Sequence, residues 1–159
     1  MTEEFDESWG TATRGVRAGT HRTPESEHSN AIYMTSSFVF DSAEECAERF
    51  AGNTPGNIYS RFTNPTVDAF CKRLAAMEGG ECCVATASGM SAILATCLAT
   101  LEAGDHIVAA HTLFGSTIGL FNNYLAKLGI TTSYVSPEDI DAWKAAITPA
   151  TRMLFVETP

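Results

Sequence analysis

The chain has 159 residues, of which 45% are hydrophobic and 18% charged. That is enough apolar side chain for a packed core and argues against disorder over most of the length. Ten basic residues against nineteen acidic ones give a formal charge of −9, and no cationic run exists to release counterions from phosphates, so a nucleic-acid-binding role is disfavoured.

Residues 1–63 read as an irregular, acidic arm. Glu3, Glu4, Asp6, Glu7, Glu25, Glu27, Asp41, Glu44, Glu45 and Glu48 face only Arg14, Arg17 and Arg22 over the first 48 residues. Within the arm, Ser37–Phe40 alternates like a brief strand and Ser42–Phe50 suits a short helix. Gly52-Asn-Thr-Pro-Gly-Asn57 is a string of turn formers. A long irregular segment of this kind either wraps its own domain or reaches a neighbour.

From Asn64 onward helices and strands alternate, and residues 64–159 read as the first, incomplete part of a larger domain. Asn64-Pro65 is an N-cap followed by proline at the first helical position. Val67, Phe70, Cys71, Leu74 and Met77 then recur at helical spacing until Gly79-Gly80. Cys82–Ala85 is expected to be a short strand. Ser88 caps a second helix with a stripe of Ile93, Leu94, Cys97, Leu98 and Leu101. A strand at Ile107–Ala110 precedes a helix over 116–128, with Leu120, Phe121, Tyr124, Leu125 and Leu128 on one face. Ile130–Val135 is a strand. Ser136-Pro137 opens a helix that turns Ile140, Trp143 and Ile147 inward, and Met153–Val156 is the last strand. The order βαβαβαβ after one helix predicts an α/β fold, a parallel or mixed sheet sandwiched by helices. An apolar strand followed at once by Glu157-Thr158-Pro159 normally feeds another element, so the chain is expected to be a fragment.

The opening MTEEFDESWG is acidic, unlike a signal peptide, and the apolar stretch around Ser91–Leu101 is too short for a bilayer. A cytoplasmic protein without a membrane role is therefore expected. The five cysteines, Cys46, Cys71, Cys82, Cys83 and Cys97, lack zinc-like spacing and read as reduced thiols. His106, His111 and Asp105 form no ligand-like grouping with them, and no metal is expected.

Ligands of a parallel sheet bind beyond the carboxyl ends of its strands. The loop Thr86-Ala-Ser-Gly-Met90 offers backbone N–H groups at a helix start, suited to an anion; equally, Ser88 could only cap and Gly89 only turn. In His111-Thr-Leu-Phe-Gly-Ser116, Phe114 could lie against a planar ligand or fill the core. Arg61, beside Tyr59, has the fork that grips phosphate, yet an arginine in an irregular arm is often just solvated. The turn at Ala87-Ser-Gly-Met-Ser91 lacks the GxGxxG of dinucleotide binding, and no GxxxxGK[ST] occurs.

Together YSRFTNPT, ATASGMSAI, DHIVAAHTLFGST and MLFVETP, in that order, resemble the Cys/Met-metabolism family of pyridoxal-phosphate enzymes. The resemblance implies the N-terminal part of an aspartate-aminotransferase-like large domain in a homotetramer of tight dimers, with pyridoxal 5'-phosphate as cofactor. It implies that Ser88, Gly89 and Met90 form the turn that holds the cofactor phosphate. Tyr59 and Arg61 would reach that phosphate from a neighbouring subunit, and Phe114 would stack on the pyridine ring. Most of the family has tyrosine at that last position; phenylalanine keeps the ring and loses the hydroxyl, so no proton can pass there. Phe114 followed by Gly115-Ser116-Thr117 is associated with the family's O-succinylhomoserine sulfhydrylases. The implied reaction is γ-replacement of succinate by sulfide on that amino-acid substrate, giving homocysteine for methionine biosynthesis.

None of Lys72, Lys127 and Lys144 matches the lysine that holds the cofactor in this family; that lysine is expected beyond this chain, and the piece alone is expected to be inactive. Glu157 is expected to act at most indirectly. Two alternatives stand beside this reading. One is a methionine or cystathionine γ-lyase of the same family, and the other a non-catalytic α/β binding or oligomerisation module.

Overall fold

The structure is a computed structural model that describes residue 6 and residues 8–158; Glu3, Glu4, Glu7 and Pro159 of the sequence reading lie outside it. The described chain forms two compact units, Met1–Ala85 and Thr86–Pro159.

The first unit contains three helices, α1 (Thr11–Arg17), α2 (Ala43–Phe50) and α3 (Pro65–Glu78). The turn α1 was not legible as an element: it buries none of its own residues and has no side-chain cap. It forms because it packs on α3. Arg14 donates to the carbonyl of Ala76 at 3.2 Å, and Arg73 of α3 donates to the carbonyl of Ala18 at 3.0 Å. The contact is close because small residues make it. Ala18, Ala69 and Ala75 are buried, and a Cβ at Gly19 (φ +70°) would come within 2.7 Å of the Ala69 carbonyl oxygen, so only glycine fits there. The face expected from spacing is therefore not the buried one: Val67, Phe70 and Met77 are exposed.

Helix α2 begins as expected, with Ser42 accepting from the Glu45 amide at 3.0 Å. The expected strand at Ser37–Phe40 is reduced to an antiparallel bridge between Ser37 and Tyr59. Cys82–Ala85 is not a strand either. It is extended, with Val84 82% exposed, and a strand exists only when its backbone groups find a ladder partner, which no described residue supplies here.

The second unit is a parallel sheet with helices. Its strands are β1 (His106–Ala110), β2 (Thr131–Val135) and β3 (Thr151–Phe155), in the spatial order β2-β1-β3. All five residues of central β1 are buried. Pairing runs from His106↔Thr131 to Ala110↔Val135 on one side and from His106↔Thr151 to Ala109↔Phe155 on the other, with an irregularity after His106. The helices are α4 (Gly89–Thr100), α5 (Gly115–Asn123), which continues into a 3-10 turn at Leu125–Leu128, and α6 (Ile140–Ala146). The core gathers Cys97, Leu101, Ile107, Ala109, Leu120, Phe121, Leu125 and Ile130. Phe121 meets Phe155 edge to face, with ring centres 5.2 Å apart. Burial pushes the Cys97 thiol above its ordinary pKa.

Two helices depart from the expected outline. Tyr124 ends α5 early, and it and Leu128 are exposed. The last helix starts three residues later than the Ser136-Pro137 signal, because Asp139 and not Ser136 accepts from the helix amide of Ala142, at 2.9 Å. Ser136 is instead held outside by the Trp143 indole, which donates to its carbonyl at 3.0 Å. Trp143 packs on the core, while Ile140 and Ile147 remain exposed. No helix among the described residues is long and apolar enough to cross a membrane.

His106, at the amino end of β1, ties that strand to both of its neighbours. It is 5% exposed, its Nδ1 lies 2.8 Å from the Thr151 hydroxyl of β3, and its Nε2 lies 2.9 Å from the Ser133 hydroxyl of β2. Replacing it by alanine removes both bonds and opens a cavity. We expect His106→Ala to lower stability by about 2–3 kcal/mol, read as a lower denaturation midpoint of the protein carrying this chain.

Candidate functional site

Among the helix starts at the carboxyl end of the sheet, those of α4 and α5 are capped in different ways. At α4, Ser88 is the N-cap of a reciprocal capping box. Its hydroxyl accepts from the Ser91 amide at 3.1 Å, and the Ser91 hydroxyl accepts from the Ser88 amide at 2.9 Å. The Ala92 amide donates to the Ser88 carbonyl at 3.1 Å. The amides of Gly89 and Met90 are then left without an acceptor among the described residues. Gly89 has an ordinary φ, and a Cβ built on it would meet nothing within 4 Å. Nothing in the chain itself thus calls for glycine at this point, and the space beside its backbone is open. A helix start with two free N–H groups and an open approach has what an anion needs.

At α5 a carboxylate of the protein itself stands at the helix start. Glu157, just past the end of β3, takes the Phe114 amide on one carboxylate oxygen at 2.6 Å. Its other oxygen takes the Thr117 hydroxyl, also at 2.6 Å. The carboxylate therefore occupies the amino end of α5 where the dipole favours a negative charge. Thr117 is fully buried, and its hydroxyl lies 4.0 Å from the sulfur of Met90. Met90, Thr117, Glu157 and Phe114 thus form a continuous contact chain from the start of α4 to the start of α5. The Phe114 ring is not a core residue: it is 64% exposed, held at its backbone and free on its face.

Tyr59 and Arg61 belong to the first unit. They share an exposed turn in which Phe62 and Thr63 donate to the Tyr59 carbonyl, at 2.8 and 3.1 Å. The Arg61 guanidinium carbon lies 5.3 Å over the Tyr59 ring and 5.5 Å over the Phe62 ring. The rest of the motif is structural. Asn64 caps α3 through the Thr66 amide at 2.9 Å and donates to the Tyr33 carbonyl at 3.0 Å, while the Thr66 hydroxyl accepts from the Tyr33 amide. The two sequence-predicted groups, Tyr59 with Arg61 and Ser88–Met90 with Phe114, therefore sit in different units.

The lysines are engaged at the surface. Lys72 pairs with Asp68 at 2.7 Å, Lys144 with Asp141 at 3.3 Å, and Lys127 lies 5.8 Å over the Tyr124 ring. Among the described residues no group of three His, Cys, Asp or Glu could hold a metal ion. The sequence reading did not foresee what Glu157 and Thr117 do. The available signal was an acid placed directly after a strand, on the edge where the loop of the neighbouring strand also ends.

The family model for Cys/Met metabolism PLP-dependent enzymes matches residues 12–159. The chain belongs to this family. It is 53% identical over 147 residues to the O-succinylhomoserine sulfhydrylase of Pseudomonas aeruginosa, covering 92% of this chain and 36% of that protein. It is 41% identical over 151 residues to an L-methionine gamma-lyase of Fusobacterium nucleatum, covering 95% of this chain and 38% of that one. A crystal structure of a Campylobacter jejuni protein described as an O-acetylhomoserine (thiol)-lyase, with a pyridoxyl-lysine monophosphate, superimposes with a TM-score of 0.82 at 28% identity. That match covers 93% of this chain and 36% of the other. The chain thus spans about a third of the length of these relatives, and its α/β fold is that of PLP-dependent transferase-fold enzymes. Pyridoxal phosphate is the family's cofactor, and the open helix start at Gly89-Met90 fits its phosphate.

The capping box is the part of this site that folding alone accounts for. Ser88→Ala removes the bond to the Ser91 amide, and we expect a loss of about 1 kcal/mol, read by thermal unfolding.

Proposed function

We propose that the protein carrying this chain is a PLP-dependent enzyme that replaces the succinyl group of O-succinylhomoserine with sulfide to form homocysteine. The observation that carries the cofactor part of this reading is the pair of unbonded amides at Gly89 and Met90 on the same edge as an exposed aromatic ring. In the proposed reaction the Cγ–O bond breaks, succinate departs, and sulfide forms the new Cγ–S bond. When bound, the pyridoxal ring serves as the store for the electrons released at the substrate carbons.

The chain's own residues have distinct tasks. Gly89 and Met90 donate their amides to the cofactor phosphate, aided by the α4 dipole. Ser88 holds those amides in place through the capping box rather than through its own hydroxyl. A helix end supplies only partial charge against a dianion, so a full positive charge is needed as well. Arg61, with Tyr59 beside it, supplies that charge from a neighbouring subunit of a homo-oligomer, a tetramer of tight dimers. Phe114 covers a face of the ring and, having no hydroxyl, neither holds nor moves a proton. By the family's pattern the lysine that binds the cofactor is a residue outside this chain; Lys72, Lys127 and Lys144 are engaged at the surface. The setting is cytoplasmic methionine biosynthesis.

A γ-lyase acting on methionine is the second reading, favoured by the 41% identity to the Fusobacterium nucleatum enzyme. The two differ in product. Given O-succinylhomoserine and sulfide, the full-length protein is expected to release homocysteine and succinate. Rapid release of 2-oxobutyrate from methionine, with sulfide ignored, would instead establish the lyase.

The cofactor contacts are tested separately. Arg61→Ala is expected to weaken pyridoxal phosphate binding by about ten- to a hundredfold. Gly89→Ala puts a methyl group into space that holds no protein atom, so stability should stay within about 0.5 kcal/mol of the parent. Cofactor affinity of that variant should nonetheless fall by roughly tenfold. Equilibrium titration at the cofactor's absorbance band reads both, and unchanged affinity in both variants would reject the assigned phosphate site.

A further inference from the structure

The starts of α4 and α5 stand on the same edge of the sheet, and Glu157 stands at the second of them only. Capping a nine-residue helix does not require what Glu157 does. A serine or aspartate at the cap position is the ordinary solution, whereas position 114 is a phenylalanine with no side-chain cap. The acceptor comes instead from 43 residues away, at the end of β3. The result is a large ring at the helix start that contributes nothing to the cap. Its backbone is fixed by a charged bond at 2.6 Å, and the same carboxylate is fixed in turn by a fully buried hydroxyl in the first turn of the helix.

We infer that Glu157 is the positioning residue for the Phe114 ring, setting its height and tilt over the planar cofactor. This rests on the proposed role of Phe114 and adds the device that holds it. Glu157 does not touch the ring; it acts through the Phe114 amide and through Thr117. A short charged bond tolerates little displacement of its donor. An exposed aromatic side chain otherwise moves freely, and stacking on a ligand would then cost the ordering of that ring. The same contact explains why the two helix starts divide their work. With Glu157 against α5, that end already carries a negative charge and would repel a phosphate, so the anion is directed to Gly89 and Met90.

The test uses the full-length protein, with pyridoxal phosphate as the probe. Its binding is followed by absorbance, and the geometry of the bound ring by the visible circular dichroism per bound cofactor. Glu157→Ala is expected to bind about tenfold more weakly and to lose most of the dichroism per bound cofactor. Glu157→Gln keeps an oxygen for the Phe114 amide and should stay within about threefold of the parent in affinity, with its dichroism preserved. Thr117→Val leaves the carboxylate tethered at one end and should fall between the two. A defect of folding alone would lower the thermal midpoint without changing the signal of the molecules that bind. Parent-like dichroism per bound cofactor in both Glu157→Ala and Thr117→Val overturns the inference; if Glu157→Ala does not fold, the same result in Thr117→Val suffices. Failure of the unaltered protein to bind pyridoxal phosphate overturns the cofactor reading itself, and the inference with it.

Discussion

The bond pair made by Glu157 decides how the second unit presents its carboxyl edge. A parallel sheet ends in loops, and loops are normally its softest parts. Here the loop after β1 is drawn onto the loop after β3 by two bonds of 2.6 Å from one carboxylate, and the buried Thr117 joins them to Met90 at the start of α4. Three separate segments of chain, 27 and 40 residues apart from Thr117, are thereby held in one arrangement. At the opposite edge His106 does comparable work, bonding β1 to both neighbours. The sheet is fastened by polar side chains at both ends and by apolar burial in between.

On the proposed reading, this arrangement bears on the choice between two similar helix ends. Both α4 and α5 have the partial charge that attracts an anion. The cap of α4 is made by hydroxyls of its own first turn, which bond the amides of Ser88 and Ser91 and leave the two between them without an acceptor, whereas the start of α5 carries the Glu157 carboxylate. The family match over residues 12–159 and the unbonded pair at Gly89 and Met90 are independent observations that agree on a phosphorylated cofactor.

Much of this was legible in the sequence where local rules act alone. The caps at Asn64 and Ser88, the proline at the start of α3 and the glycine at its end all lie within one turn of the helix they shape. Strands β1, β2 and β3 were recognisable as short apolar or β-branched runs between helices. What failed depended on partners distant in the chain. Cys82–Ala85 has the composition of a strand but no described partner. Helix α1 has no amphipathic pattern and exists through backbone contacts with α3 that only Gly19, Ala69 and Ala75 make close enough. Asp139 outcompeted Ser136 as a cap because Trp143 ties the Ser136 carbonyl. The site was legible as single loops; the link between them was not, since a glutamate after a strand has no local signature of what it will hold.

The tripeptide Asn64-Pro65-Thr66 carries a last consequence. Its polar atoms are spent on capping α3 and tethering Tyr33, while Tyr59 and Arg61 make no bond that shapes the helix. The two halves of one short motif therefore answer to separate pressures. On the proposed reading, a descendant released from cofactor binding would be free to discard the tyrosine and the arginine and still be obliged to retain the tripeptide, whose polar atoms hold the start of α3.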